Sequence, residues 1–193
     1  MYLSPQIKIL LKISFTATFA ESLLVPMYSA FTEKVGGSIL DAGIAFAVFS
    51  MVTGLVVTLV GTRDWFQKDV KIFLTLGFLV SACCDVAYIF VQDKWQLFGA
   101  QSLAGLATGF IEPAWDSIFT DDIEQSSAKH WSVWAGGTHL VSGAAALLGG
   151  IIVAASSFTY LFMTMALLDL VAIYLTWKVV LAKKTLAAES AAE

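Results

Sequence analysis

Long apolar runs recur through this sequence from its first residues almost to its last. A bilayer core of about 30 Å needs about 20 mostly apolar residues per helix. The runs that meet this length lie at about 7–31, 40–61, 70–91, 96–119, 131–155 and 158–180. They are continuous rather than alternating, which argues against the strands of a membrane β-barrel. We therefore predict an all-α membrane protein with six transmembrane helices in a single domain.

Composition favours the same class. Of the 193 residues, 58% are hydrophobic and 13% are charged, and the mean hydropathy is +0.79, whereas soluble domains are about 45–50% apolar and about 25% charged. The net charge of −4 offers no basic surface for nucleic acid. The adjacent Cys83 and Cys84 are interpreted as small buried thiols. Since no metal-ligand spacing, catalytic motif or phosphate loop is present, we predict no enzyme, no cofactor and no metal site.

The basic residues predict the orientation of the chain in the bilayer, because cytoplasmic loops are enriched in Lys and Arg. On the other side of the membrane we place only Lys34 and Lys94. The predicted cytoplasmic side collects Lys8, Lys12, Arg63, Lys68, Lys71, Lys129, Lys178, Lys183 and Lys184. Both termini are then cytoplasmic in the cell (inner) membrane, as an even number of spans requires, and 182–193 is a short cytoplasmic tail.

The two halves of the chain echo each other. Residues 29–33 (SAFTE) resemble 117–121 (SIFTD), and 82–86 (ACCDV) resemble 166–170 (ALLDL) at a similar offset. We interpret 7–91 and 96–180 as two three-helix repeats. Because three is odd, the second repeat enters the membrane from the opposite side, which makes it an inverted repeat.

Motifs spread along the chain carry a resemblance to one half of a major facilitator superfamily transporter. They are Val25 to Tyr28 with Gly36 and Gly37, the loop Gly61 to Lys68, and Gln101, Gly105, Gly109 and Pro113. The arginine usual near Gln101 is missing. Full transporters of this family have twelve helices in two parallel six-helix halves. The resemblance therefore implies a parallel homodimer, the alternatives being a fragment of a longer protein or a degenerate remnant.

Four acidic residues, Glu21, Asp85, Glu112 and Asp169, lie near the centres of their predicted spans. Each costs about 2.5–3.5 kcal/mol at a helix centre. Such groups usually line a water-filled path or pair inside the bundle.

The fourth span carries the densest polar face. Gln101, Gly105, Thr108, Glu112 and Asp116 follow one another at helical spacing. In the first span, Thr18, Glu21 and Tyr28 share a face in the same way. The resemblance implies that both faces line a central cavity, where the two glutamates would couple protons to a substrate. Trp115 is either a substrate-stacking ring or an interfacial anchor.

Other candidates carry two interpretations each. The resemblance implies that Asp85 and Asp169 are peripheral, where internal hydrogen bonding is favoured over a proton relay. The small residues Gly136, Gly143 and Gly150 share a face that we predict to be a dimer interface, because small faces let helices approach closely. On that face His139 is a packing residue or a proton relay.

A cytoplasmic gate is predicted from Arg63, Asp64 and Asp121, with Asp121 pairing with Arg63. The functional prediction is a half-size, proton-coupled secondary transporter of a small cationic or amphipathic molecule. Its partners would be the lipid bilayer, a second copy of itself, the substrate and protons. The alternative is a non-transporting scaffold, sensor or assembly subunit.

Overall fold

Helices lie over every predicted span. The computed structural model describes the backbone of residues 5–121 and 127–190 and the side chains of 7–121 and 128–178. The elements are α1 (Pro5–Leu24), α2 (Tyr28–Lys34), α3 (Ile39–Gly61), α4 (Asp64–Lys68), α5 (Val70–Tyr88), α6 (Lys94–Asp121), α7 (Ser127–Ala155) and α8 (Phe158–Ser190). A 3₁₀ turn, Val25–Met27, joins α1 to α2 at Pro26. Part of the predicted tail, 182–190, continues α8, and 191–193 lie outside the described residues.

Five stretches are long and apolar enough to cross a membrane, so the prediction of an all-α integral membrane protein is confirmed. They are Ile7–Lys34, Ile39–Gly61, Val70–Tyr88, Ala128–Ala155 and Phe158–Lys178. The helix over the remaining predicted span, α6, has 28 residues and so is long enough. It is less apolar because its central turns carry Gln101, Thr108, Glu112 and Asp116. The number of spans predicted, six, therefore remains a prediction.

The helices pack as two groups that meet mainly where α5 packs against α8. α1 packs against α7 and α8, α6 packs against α3 and α5, and α5 packs against α8. Glycines allow the close approaches: a Cβ on Gly105 would lie 2.6 Å from the carbonyl oxygen of Phe49, and one on Gly149 would collide with the backbone of Leu23. Small residues let helix backbones come this close.

The end of the bundle at which α2 lies, here named the α2 end, is fixed by the start of α3. Ser38 caps α3 by accepting from the Asp41 N–H, and Asp41 accepts in return from the Ser38 N–H at 2.8 Å. Asp41 also pairs with Lys94 at 3.2 Å, which ties the start of α3 to the start of α6. Gly36 supplies the left-handed turn before α3, with φ at +79°, a conformation that favours glycine.

The opposite end, here named the α4 end, holds a buried aromatic cluster. Trp115 and Phe119 of α6 stack with ring centroids 4.3 Å apart, and Trp131 and Trp134 of α7 pack against them. The Trp134 indole N–H donates to the Ser14 hydroxyl at 2.7 Å. The cluster therefore ties α6, α7 and α1 together at this end.

Candidate functional site

A cavity of about 350 Å³ opens between α1, α3, α5, α6 and α8. It extends from the level of Glu21 toward the α2 end. Its walls are mostly apolar and aromatic, with a small number of polar groups, which is the usual composition of a small-molecule site. The lining residues are Glu21, Leu24, Val25, Tyr28, Phe46, Phe49, Ser81, Cys84, Asp85, Tyr88, Gln101, Ala104, Thr108 and Met165.

Two carboxylates, Glu21 and Asp85, lie on the walls of this cavity. Glu21 lies deep in the bundle, yet its side chain is exposed because it faces the open space. Asp85 is 5% exposed. None of the residues lining the cavity is Lys, Arg or His. The cavity is therefore negatively charged whenever either acid is ionised.

Tyr28 and Gln101 face each other on the cavity side of the α1–α2 break. The 3₁₀ turn at Val25–Met27 ends α1 and begins a new helix at Tyr28. The Tyr28 hydroxyl is buried, lies near the Gln101 and Thr32 side chains, and makes no hydrogen bond with adequate geometry within the described structure. A buried polar atom without a partner is costly, so this hydroxyl is suited to bind a polar atom of a ligand.

Glu112 and Asp116 do not line the cavity. Both side chains are exposed on α6, one turn apart. Glu112 interacts electrostatically with Glu21 across the gap between α6 and α1, and Asp116 with Glu112. The polar face of α6 thus continues from the cavity at Gln101 and Thr108 toward the α4 end.

Trp115 lies in the aromatic cluster instead of the cavity. Its side chain is 6% exposed, and its ring stacks on Phe119 and on Trp134, the latter at 4.9 Å between centroids. Neither role predicted for it, substrate stacking or interfacial anchoring, matches this buried position. Its indole nitrogen has no hydrogen-bond partner in the described part of the chain.

The two acids expected at the periphery differ from each other. Asp85 lines the cavity, whereas Asp169 lies outside it, 3% exposed, with the Ser81 side chain beside it. Peripheral placement is therefore wrong for Asp85. Ser81 is a cavity residue that the sequence analysis did not single out. Its spacing of four residues from Asp85, which puts both on one helix face, was the available signal.

On α7, the face of Gly136, Gly143 and Gly150 is largely without contacts in the described residues. A Cβ on Gly136 or Gly143 would meet nothing within 4 Å, and one on Gly150 would meet only the Met27 Cε, at 3.8 Å. His139 on this face is exposed. The glycines that contact α1 are Gly137 and Gly149, on another face of α7.

The predicted gate is not an ion pair in this conformation. Arg63 donates from Nε to the Leu59 carbonyl at 3.2 Å, and no Arg63–Asp121 pair occurs within the residues described. Asp64 begins α4. Gln67 instead connects this loop to α6: its amide donates to Gly61 O at 2.8 Å, and Ser117 Oγ donates to its oxygen at 3.2 Å.

Among the described side chains, 7–121 and 128–178, no group of three or more His, Cys, Asp or Glu is arranged to hold a metal ion. Cys84 is buried and donates to the Ala100 carbonyl at 3.2 Å, whereas Cys83 is exposed. The interpretation of a small buried thiol therefore holds for Cys84 and fails for Cys83.

Comparison with known proteins gives one family. The family model described as Major Facilitator Superfamily matches residues 10–193, almost the whole chain. No curated protein matches the sequence.

Proposed function

This chain belongs to the Major Facilitator Superfamily, and we propose that it is a half-size, proton-coupled secondary transporter of a small cationic or amphipathic molecule that works as a parallel homodimer. The observation that carries the proposal is the cavity, with two carboxylates, an unpartnered tyrosine hydroxyl and no basic group on its walls. The family generally transports small molecules across membranes rather than catalysing reactions.

The packing pattern supports a three-plus-three inverted repeat with α6 as its fourth span. α1 packs against the second and third long helices of the other repeat, α7 and α8. α6 does the same with α3 and α5, and the two third helices, α5 and α8, pack together. Exchanging the repeats leaves this pattern unchanged, as two structurally equivalent repeats require. α6 packs against α3 and α5, both long and apolar enough to span, which supports α6 as a further membrane span.

The homodimer is supported by the surfaces that the single chain leaves uncovered. α3 and α7 are the least buried of the five apolar stretches. Both carry glycines, Gly43 and Gly54 on α3 and Gly136 and Gly143 on α7, at which a Cβ would meet nothing within 4 Å. A second copy inserted in the same orientation would cover these faces and enclose the cavity. With both termini cytoplasmic in the inner membrane, two copies have the parallel orientation that this pairing needs.

Coupling is assigned to Glu21 and Glu112. Each lies on the first helix of its repeat, and the two interact electrostatically. Carboxylates inside a membrane protein commonly hold either a cation or a proton, so a proton can replace a bound cation on these acids. Carboxylates also attract cations, and the aromatic rings of Phe46, Phe49 and Tyr88 provide an apolar surface for an amphipathic one.

The test is transport in proteoliposomes under an imposed pH gradient, with tetraphenylphosphonium as the cationic, amphipathic probe. We expect the parent to transport the probe and the double variant Glu21→Gln, Glu112→Gln to lose the pH-driven component, since glutamine keeps the shape and removes the titration. Glu33→Gln is the matched control, because Glu33 is an exposed acid of α2 that is not among the residues lining this cavity.

Two results would count against the proposal. No pH-driven transport of the probe by the parent would contradict the proposed substrate class and favour a scaffold or sensor. Undiminished pH-driven transport by the double variant would move coupling to Asp85, Asp169 or His139.

A further inference from the structure

The carboxyl group of Asp169 has an unusual environment. Asp169 is 3% exposed, and its Oδ2 atom has no hydrogen-bond partner within the described structure. An ionised carboxylate here would lose its hydration without gaining a donor for that oxygen, and such burial of a charge is strongly unfavourable. A neutral carboxylic acid avoids that cost.

The titratable groups that surround Asp169 favour the neutral form as well. α8 packs against α1, α5 and α7. From α1 and α5, the titratable groups that interact with Asp169 are Glu21, Asp85 and Cys84, none of which is cationic. From α7, His139 is exposed on the uncovered face. A negative charge on Asp169 would therefore meet repulsion from Glu21 and Asp85 whenever these are ionised.

Ser81 connects this carboxyl group to the cavity. Its side chain lies beside Asp169, and the same residue lines the cavity wall together with Asp85 and Glu21. Ser81 and Asp85 are one helical turn apart on α5, so both point to the same side of that helix. A serine hydroxyl can accept a proton and donate its own.

We propose that Asp169 is a proton-holding site behind the cavity wall and that it exchanges its proton with the cavity through Ser81. When the proton moves from Asp169 to the cavity, Asp169 gives its proton to the Ser81 oxygen. At the same time Ser81 releases its hydroxyl proton to a carboxylate of the cavity, Asp85 or Glu21. Asp169 becomes a carboxylate, the receiving acid becomes neutral, and Ser81 is unchanged. In the return step the same protons move in the opposite direction.

Ser81 is then a positioning residue for proton transfer, and Asp169 stores one proton next to the acids that bind the substrate. This role in transport rests on the proposed function, whereas the neutral acid and its exchange route do not. The contact between α5 and α8 would then hold one protonation site, Asp169, in addition to the two glutamates Glu21 and Glu112.

The experiment is infrared spectroscopy of the purified full chain in lipid nanodiscs, and it requires no substrate. Protonated carboxylic acids give a C=O stretching band distinct from that of carboxylates, and the band shifts when the proton is replaced by deuterium. We expect a band at neutral pH that Asp169→Asn removes. After transfer to D₂O, Ser81→Ala should slow the shift of this band by about 100-fold, the lower end of what a positioned proton-transfer group contributes.

Two variants make the exchange measurement specific. Ser81→Thr keeps the hydroxyl and should exchange at nearly the parent rate. Ser102→Ala is the matched control, because Ser102 is a half-buried serine of α6 that donates to the Phe98 carbonyl and lines no cavity. The Ser81 series also tests the proposal if Asp169→Asn does not fold.

A carboxylic acid band that is unchanged in Asp169→Asn would overturn the assignment, because Asp169 would then hold no proton. Exchange in Ser81→Ala as fast as in the parent would overturn the route. Either result leaves the transport test of Glu21 and Glu112 untouched, and failure of that test leaves the infrared result standing, so the two failures are distinguishable.

Discussion

The two ends of the bundle differ in packing: the cavity lies toward the α2 end, and a packed aromatic cluster lies at the α4 end. Toward the α2 end, Glu21 of α1 and Gln101 and Thr108 of α6 line an open cavity. Toward the α4 end, the next turns of α6 place Trp115 and Phe119 in an aromatic cluster with α7. Two turns of one helix therefore separate an open polar region from a closed apolar one.

This difference shows how the chain positions its acids. The aromatic cluster packs α6 against α7 at the α4 end, whereas the polar face of α6 stays exposed at Glu112 and Asp116. Substitutions in the aromatic cluster should therefore lower the stability of the protein, whereas substitutions of cavity residues should lower its transport activity.

The largest effect on stability is expected from the closed end. Trp115→Ala removes a ring that is 6% exposed and stacked on Phe119 and Trp134, and it should lower the free energy of unfolding by about 3–5 kcal/mol. Trp95→Ala is the matched control, since Trp95 is 73% exposed. Thermal unfolding in detergent measures both, and equal shifts for the two variants would show that the cluster does not stabilise the bundle.

A smaller effect is expected from the two glycine faces of α7. Gly149→Ala places a Cβ against the Leu23 backbone and should destabilise the single chain by about 1–3 kcal/mol, as overpacking does. Gly143→Leu places its side chain in open space, so the chain should stay folded while its association weakens.

Thermal unfolding and the oligomeric mass in nanodiscs separate these two outcomes. If Gly143→Leu associates as well as the parent, the dimer forms through another surface. If Gly149→Ala unfolds at the parent temperature, the contact of α7 with α1 is looser than described.

The smallest effect is expected at the α2 end, where the cavity opens. Asp41→Ala removes the capping interaction with Ser38 and the ion pair with Lys94, and it should cost about 0.5–2 kcal/mol, the range for a lost helix cap. Asp69→Ala is the control, because Asp69 precedes α5 without a side-chain cap. Chemical denaturation compares them, and a loss for Asp69→Ala as large as that for Asp41→Ala would argue against the cap.

The sequence was sufficient for the helices because apolar runs of this length identify them directly. It also predicted which residues share a face, since helical spacing places Glu21 with Tyr28 and Gln101 with Thr108. Boundaries were less accurate: the first span is interrupted at Val25–Met27, and α4 lies in a segment interpreted as a loop.

The spacing of residues along one helix predicts which side chains share a face, but it does not predict which neighbouring helix that face contacts. The burial of Trp115 depends on Trp131 and Trp134 of α7, and the exchange route at Asp169 depends on Ser81 of α5, contacts that only the packing specifies. Resemblance to a family placed both Asp85 and Asp169 at the periphery, and it could not distinguish the one that lines the cavity.

We propose that the cavity is the water-accessible path and that water does not reach the packed aromatic cluster at the α4 end. Single cysteines at Thr108, on the cavity wall, and at Ala114, fully buried in the same apolar core as Trp115 and Phe119, test it directly in a Cys83→Ser, Cys84→Ala background. A membrane-impermeant maleimide added from the α2 side, which is the predicted non-cytoplasmic side, should label the Thr108→Cys protein and leave the Ala114→Cys protein unlabelled. Labelling of Thr108→Cys from the α4 side alone, or equal labelling of both variants, would contradict the account.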